Sequence, residues 1–251
     1  MPCPFNRIVT TGHASSAHPI RSREGKPLAV ISVVNAKGGS GKSTAALVLG
    51  LGLAEAGARV VLLDADPNMP LSRWAADRKG PVTVIGGITD SSLVPTIDRC
   101  TGDFDAIIVD VEGVAGRMAG RAVGRSDLTI IPLNATALDA IEAYRTIGLV
   151  TEESQIHRRS IPYRLMLSRS SKIATRDERA IIKELDRKGI PRLHTSLVSR
   201  VAFAALFSKC QTLAEMKATE VSGIEQAREN AKAFADEITL ILRTLVAREA
   251  A

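Results

Sequence analysis

The chain has 251 residues, a net charge of +6 and 45% hydrophobic residues, enough for one α/β domain with a substantial core. Aromatic residues make up only 3%, and Cys3, Cys100 and Cys210 form no Cys-x-x-Cys pair, so base-stacking platforms for single strands, zinc sites and bridging iron–sulfur clusters are not suggested. No stretch is long and apolar enough to span a bilayer, which leads us to expect a cytoplasmic protein with reduced thiols and no membrane attachment.

Residues 1–27 scatter their apolar side chains among Pro, His, Ser and Arg with no hydrophobic block, so they do not read as a signal peptide. Arg7, Arg21, Arg23 and Lys26 outweigh Glu24, which predicts a flexible basic arm ahead of a single domain at 28–251. Leu28–Val34 is an uninterrupted β-rich run, as in a strand buried on both faces. Ser43–Ala56 is apolar nearly all round and predicts a buried helix ended by Gly57. Further strands are expected at Arg59–Asp64, Val82–Ile85, Asp105–Asp110, Leu128–Pro132, Arg164–Ser168 and Leu193–Val198. Helices are expected at Leu71–Lys79, Ser92–Cys100, 116–124, Ala137–Glu152 and Thr175–Lys188, with short helices before a long terminal one at Gly223–Arg248. The alternation predicts an α/β fold, a mostly parallel twisted sheet with helices on both faces. The terminal helix places Ile224, Ala227, Ala231, Phe234, Ile238, Ile241, Leu242 and Leu245 on one face, while Glu225, Glu229, Asp236, Glu237 and Glu249 sit among its basic residues. Docking on the protein's own core fits that pattern better than a membrane surface does.

Between the first strand and the first helix lies Lys37-Gly38-Gly39-Ser40-Gly41-Lys42-Ser43-Thr44. Strand, glycine loop and helix is the context of a phosphate-binding loop, in which glycines let backbone N–H groups close around phosphate oxygens. Residues 38–44 are therefore the expected nucleotide-binding residues. Lys42 would place its charge between the β- and γ-phosphates, and the Ser43 hydroxyl would ligate magnesium. The general pattern wants Gly at position 36, where this chain has Ala, and an extra lysine, Lys37, opens the loop. A second cation beside a triphosphate needs an anion to hold it, or charge developing on the γ-phosphate to stabilise. Asp64 and Asp66 fall just past a strand's C-terminal end, the edge where open α/β sheets bind ligands. Asp110 ends another apolar strand and would assist magnesium; Glu112 follows it with no assigned role.

Lys-Gly-Gly-x-Gly-Lys-Ser-Thr resembles the deviant Walker A box of the ParA/MinD ATPases. The resemblance implies that Lys37 reaches across a nucleotide-sandwich dimer to the partner's ATP and that Asp66, in Asp-x-Asp-Pro, positions the hydrolytic water. It further implies ATP and Mg2+ as cofactors, with Asp64 near the metal shell and Asp110 as the Walker B residue. Asp66-Pro-Asn-Met-Pro-Leu-Ser-Arg-Trp74 is similar to the small ParF-like partition ATPases and to the ParA-like proteins of conjugal or T-DNA transfer. Ile131–Asp139 resembles their loop beside the base, and Leu165-Met-Leu-Ser168-Arg169 the strand that frames adenine, which assigns Arg169 to the nucleotide. By the same likeness Arg200 and Lys209 are candidate DNA contacts.

The segment His157–Arg192 holds eleven Lys and Arg against four acids, a local charge of +7. Such a segment suggests a polyanion, most simply DNA, although i,i+4 pairs such as Glu184 with Lys188 account for part of it. The expected protein is a ParA-type ATP hydrolase, slow until stimulated by a ParB-like or other cargo adaptor. It would dimerise with ATP, bind duplex DNA without sequence preference and act on the nucleoid to segregate plasmid or chromosomal DNA. One alternative recruits a conjugative transfer complex or another cargo. A second is a biosynthetic P-loop ligase of the dethiobiotin synthetase kind. Residues 1–27 are too short for a winged-helix region, so operator binding is not expected.

Overall fold

The computed structural model describes residues 29–76, 80–113, 116–171, 174–198 and 200–249. The basic arm expected at 1–27, Cys3 and Lys172 lie outside them. The elements run β1 (Ala29–Val33), α1 (Lys42–Glu55), β2 (Val60–Ala65), α2 (Pro70–Ala75), β3 (Thr83–Ile85), α3 (Leu93–Cys100), β4 (Ala106–Val111), α4 (Arg117–Gly124), β5 (Leu128–Leu133), α5 (Ala137–Ile156), β6 (Tyr163–Ser170), α6 (Arg176–Arg187), β7 (Leu197–Val198), α7 (Val201–Ser208) and α8 (Ile224–Glu249). The strands form one seven-stranded sheet in the order β3-β2-β4-β1-β5-β6-β7, every pair parallel.

β1 lies between β4 and β5, so all its residues are buried and no polar face is needed. Alternate residues feed two cores. Ile31, Val33, Leu62 and Ile108 pack with α1, α2, α7 and α8 on one face. Val30, Leu63, Ile107 and Val109 pack with α3, α4, α5 and α6 on the other. α1 is buried almost all round because α8 covers the side turned from the sheet. Gly52 permits that close approach, since a Cβ there would lie 2.7 Å from Ala235 Cβ. The expected apolar face of α8 is buried through Ile224, Ala227, Ala231, Phe234, Ile238 and Leu242, with Ile241 partly buried. Truncating Phe234 to Ala would cost about 3–5 kcal/mol.

Local chemistry accounts for the element ends. Thr136 caps α5 by accepting the Asp139 N–H at 3.1 Å, and Thr175 caps α6 by accepting the Glu178 N–H at 3.1 Å. Several expected bounds shift, α5 running on to Ile156 and β6 spanning Tyr163–Ser170, and three further elements differ. The strand begins at Ala106, because the Asp105 carboxylate is turned to the Arg59 backbone N–H and guanidinium at 2.9–3.1 Å. The final strand shrinks to Leu197–Val198, because Arg192 and Leu193 meet Leu165 only through an isolated bridge. α2 ends at Ala75, and 77–79 lie outside the described residues.

Candidate functional site

The loop 37–41 leaves the C-terminal end of β1 and enters α1 at Gly41, whose φ of 94° and lack of side chain leave the helix without a side-chain cap. The first-turn N–H groups of α1 therefore face the loop, the arrangement that receives an anion. Buried Asn35 anchors the front of the loop. Its Nδ2 donates to the Pro132 carbonyl at 2.5 Å, and its Oδ1 accepts the Lys37 N–H at 2.8 Å. On the other side the Ser168 hydroxyl donates to the Ser40 carbonyl at 2.5 Å and lies 3.3 Å from Asn134 Oδ1.

Lys42 is 6% exposed, and its ammonium donates to the Lys37 carbonyl at 3.1 Å. Burial lowers its pKa, while Asp110, Asp66 and Glu112 act in the opposite direction. All three carboxylates act on the ammonium through their charge, and Glu112 is one of them. Lys37 turns away from the loop. Its ammonium is 2.9 Å from Asp139 Oδ1 in the first turn of α5, the lysine 39% exposed and the aspartate 1%. Asp139 Oδ2 also accepts the Thr136 hydroxyl at 2.5 Å.

Asp64 and Asp110 are paired in register on adjacent strands, both buried. Burial is the main cause raising each: Asp110 goes to about 7, with the Ser43 hydroxyl acting to lower it, and Asp64 rises against hydrogen bonds from Ser72 and, more weakly, from the Asp66 backbone N–H. Although Ser43 is close enough to act on Asp110, neither Asp110 oxygen has a hydrogen bond of good geometry, and Asp64 Oδ1 has none. Such buried acceptors, beside a serine hydroxyl, fit a hydrated divalent cation. Among the described residues no group of three or more His, Cys, Asp or Glu could hold a metal, so a cation here would complete its shell with Ser43, water and phosphate oxygens. Asp66 lies beyond them in an Asx-turn, accepting the Asn68 N–H at 2.7 Å. Met69 follows at φ 47°, a left-handed residue that is not glycine.

Arg169 is exposed at φ 52°, where the β6–β7 register shifts between Ser168 and Ser170. Thr44 is half-buried as the third residue of α1. Arg200 and Lys209 flank α7 and are not part of the loop cluster. Arg200 Nε is buried without a hydrogen bond, and Lys209 Nζ is 3.8 Å from Glu220. In the basic segment Glu184 pairs with Arg187 and Lys188, Arg192 pairs with Asp186, and Arg159 donates to the carbonyls of Gly124 and Ser126. Arg176, Arg179, Lys183 and Arg187 remain exposed along α6.

Residues 28–247 match the model of the VirC1 protein family. The chain belongs to that family. This VirC1-family chain is 38% identical to a Rhizobium radiobacter protein named ParA over 209 residues, covering 82% of this chain and 94% of the relative. It is 31% identical to the virC1 protein of Rhizobium rhizogenes over 179 residues, 68% of this chain and 76% of that one. A Cyanothece McdA variant solved as an ATP complex shares the fold, with a TM-score of 0.69 at 15% identity over 83% of this chain and 95% of that chain. The VirC1-family chain is thus a ParA-like ATPase with the P-loop architecture expected from its loop. No helix among its described residues is long and apolar enough to cross a membrane.

Asp139, Ser72, Ser168 and Asn134 were not assigned roles from sequence. Each lies far from the loop in the chain and meets the site only through the sheet. Asn134, Asp139 and Ser168 do fall in the segments likened to the base-side loop and strand, and Asp139 also carries the spacing Thr136-x-x-Asp139 of a helix cap.

Proposed function

We propose that this chain binds ATP with Mg2+, closes with a second copy into a nucleotide-sandwich dimer, and in that form holds duplex DNA without sequence preference to position a plasmid or chromosomal cargo. The observation that carries this reading is the second lysine. Lys37 stands at the front of a phosphate-binding loop already served by Lys42, and its ammonium is held on Asp139 rather than on the loop.

In this reading Gly38, Gly39, Ser40 and Gly41 shape the backbone cradle, and Ser43 and Thr44 open the helix whose N–H groups receive phosphate oxygens. Lys42 exchanges the Lys37 carbonyl for the β- and γ-phosphates. Mg2+, when bound, neutralises and orients those phosphates. Ser43 would hold it directly, and Asp110 and Asp64 would do so through water. Asp66 orients the attacking water, and Lys37 leaves Asp139 to stabilise charge on the partner's γ-phosphate. Arg169 borders the base. Arg200 and Lys209, which flank α7, contact DNA phosphates, a mode that carries no sequence information. Hydrolysis is slow until a ParB-like or other cargo adaptor stimulates it, and the protein works on the nucleoid in the cytoplasm.

A second reading keeps this cycle and changes the cargo to a conjugative DNA-transfer complex. The segment Asp66–Trp74, whose likeness extends to transfer proteins, favours it.

The test is binding to random-sequence duplex DNA with ATP, with ADP and without nucleotide, across a salt series. Salt-sensitive binding with ATP alone is expected. Absence of binding in every state overturns the reading and turns attention to a small carboxylate acceptor.

A further inference from the structure

We infer that Ser72 is a positioning residue for the metal-side carboxylate Asp64, and that Gly86 is the space that lets it act. The inference rests on the reading that Asp64 borders the Mg2+ site.

Asp64 sits at the end of β2 and is 1% exposed. Ser72 gives both of its donors to one oxygen of that carboxylate: the N–H to Oδ2 at 2.7 Å and the hydroxyl to Oδ2 at 2.8 Å. Oδ1 is buried with no hydrogen bond. Two donors converging on one oxygen fix the rotation of the carboxylate and favour its ionised form, leaving Oδ1 as the atom free to accept from a cation's water. The burial of Asp64 makes this orientation matter, because solvent cannot substitute for a lost donor.

The local fold explains why Ser72 is available. α2 starts with Pro70 after left-handed Met69, so the Ser72 N–H belongs to the first turn and has no carbonyl of its own helix. Asp64 supplies that acceptor from eight residues upstream. Gly86, just past β3, abuts Ser72 closely: a Cβ added there would overlap the Ser72 hydroxyl oxygen and lie 3.1 Å from its Cβ. Gly86 is not left-handed, so alanine is admissible to its backbone; the hydroxyl must then move, and the Ser72 Cβ must yield slightly as well. α2 also carries the chain's single tryptophan, Trp74, which is 2% exposed and donates to the Gln211 carbonyl at 3.4 Å. Its emission therefore reports on α2.

The experiment uses the full chain as wild type, Ser72→Ala, Gly86→Ala, the double variant and Asp64→Asn. Affinity for a fluorescent non-hydrolysable ATP analogue is measured in EDTA and across a MgCl2 series, with Trp74 emission followed in parallel. We expect Ser72→Ala and Gly86→Ala each to raise the Mg2+ midpoint by about tenfold while leaving the EDTA affinity unchanged. The double variant is expected to match Ser72→Ala rather than add to it, because the hydroxyl is lost only once. A Ser72→Ala protein that melts at lower temperature yet keeps the wild-type Mg2+ midpoint overturns the inference and leaves Ser72 as a helix cap. A wild-type midpoint that Asp64→Asn does not move overturns the metal-side reading of Asp64, and the inference with it.

Discussion

Lys37 and Asp139 form an ion pair of 2.9 Å that joins the front of the phosphate-binding loop to the first turn of α5, across about a hundred residues of sequence. The aspartate is almost wholly buried and the lysine is more than a third exposed, so the two ends differ in what they lose when the pair breaks. Lys37→Ala leaves a buried carboxylate without its cation and is expected to lower the stability of the nucleotide-free protein by about 1–3 kcal/mol. It is also expected to leave monomer nucleotide binding near wild type while impairing dimerisation or hydrolysis. Denaturant unfolding and analytical ultracentrifugation with ATP check the two halves separately, and a variant that dimerises and hydrolyses normally removes the cross-dimer role.

Lys42→Ala is expected to abolish nucleotide binding. Its ammonium is buried and feels the charge of three carboxylates, and the loop's other lysine, Lys37, points at Asp139 instead. Calorimetric titration with ATP is the measurement, and normal affinity would overturn the site.

Asp66→Ala is expected to leave ATP binding intact and to trap the dimer. Asp66 lies outside the strand, and its side chain is held by the Asx-turn to Asn68, so its loss costs about 1 kcal/mol of local order and little of the core. Single-turnover hydrolysis distinguishes this from a binding defect, since wild-type turnover in the variant would exclude Asp66 from the mechanism.

Asp110 gives the protein a pH dependence of definite sign. Burial holds its carboxyl at about 7, against 3.8 for the free side chain. Between those values the folded state binds the proton and the unfolded state does not, so this group's contribution to stability is greatest below pH 3.8 and is lost as pH rises to about 7. The loss is on the order of 4 kcal/mol. The difference in unfolding free energy between wild type and Asp110→Asn, both nucleotide-free, should therefore follow that slope from pH 4 to 8. A flat difference would mean that Asp110 carries no buried charge.

Ser168→Ala is expected to weaken nucleotide binding by about fivefold, the equivalent of one hydrogen bond of about 1 kcal/mol. The hydroxyl braces the Ser40 carbonyl, and Gly41 passes so close that a Cβ there would lie 3.2 Å from the Ser168 Cβ. An unchanged dissociation constant would show that the loop holds its shape without that brace.

Several features were legible in the chain alone. The apolar runs at 28–34 and 105–110 can be buried only as central strands, and the glycines with Lys42 and Ser43 between a strand and a helix can serve few purposes besides holding phosphate. Those patterns are local, set by periodicity and by the backbone freedom of glycine, and the sheet and loop formed where they pointed. What holds the site together is not local. That Asp139 receives Lys37, that Ser72 turns Asp64 and that Ser168 braces Ser40 all depend on which strands become neighbours, and no residue pattern within any one segment encodes a partner 8, 102 or 128 positions away. The same holds for the basic residues. The spacing of Glu184 and Lys188 marked one ion pair in advance, but the count of eleven did not reveal that Arg187 also pairs with Glu184 and Arg192 with Asp186. Nor did it reveal that α6 and α7 pack on opposite faces of the sheet, separating the α6 charges from Arg200 and Lys209. Burial, pairing and proximity are properties of the packed sheet, and only the tertiary structure decides them.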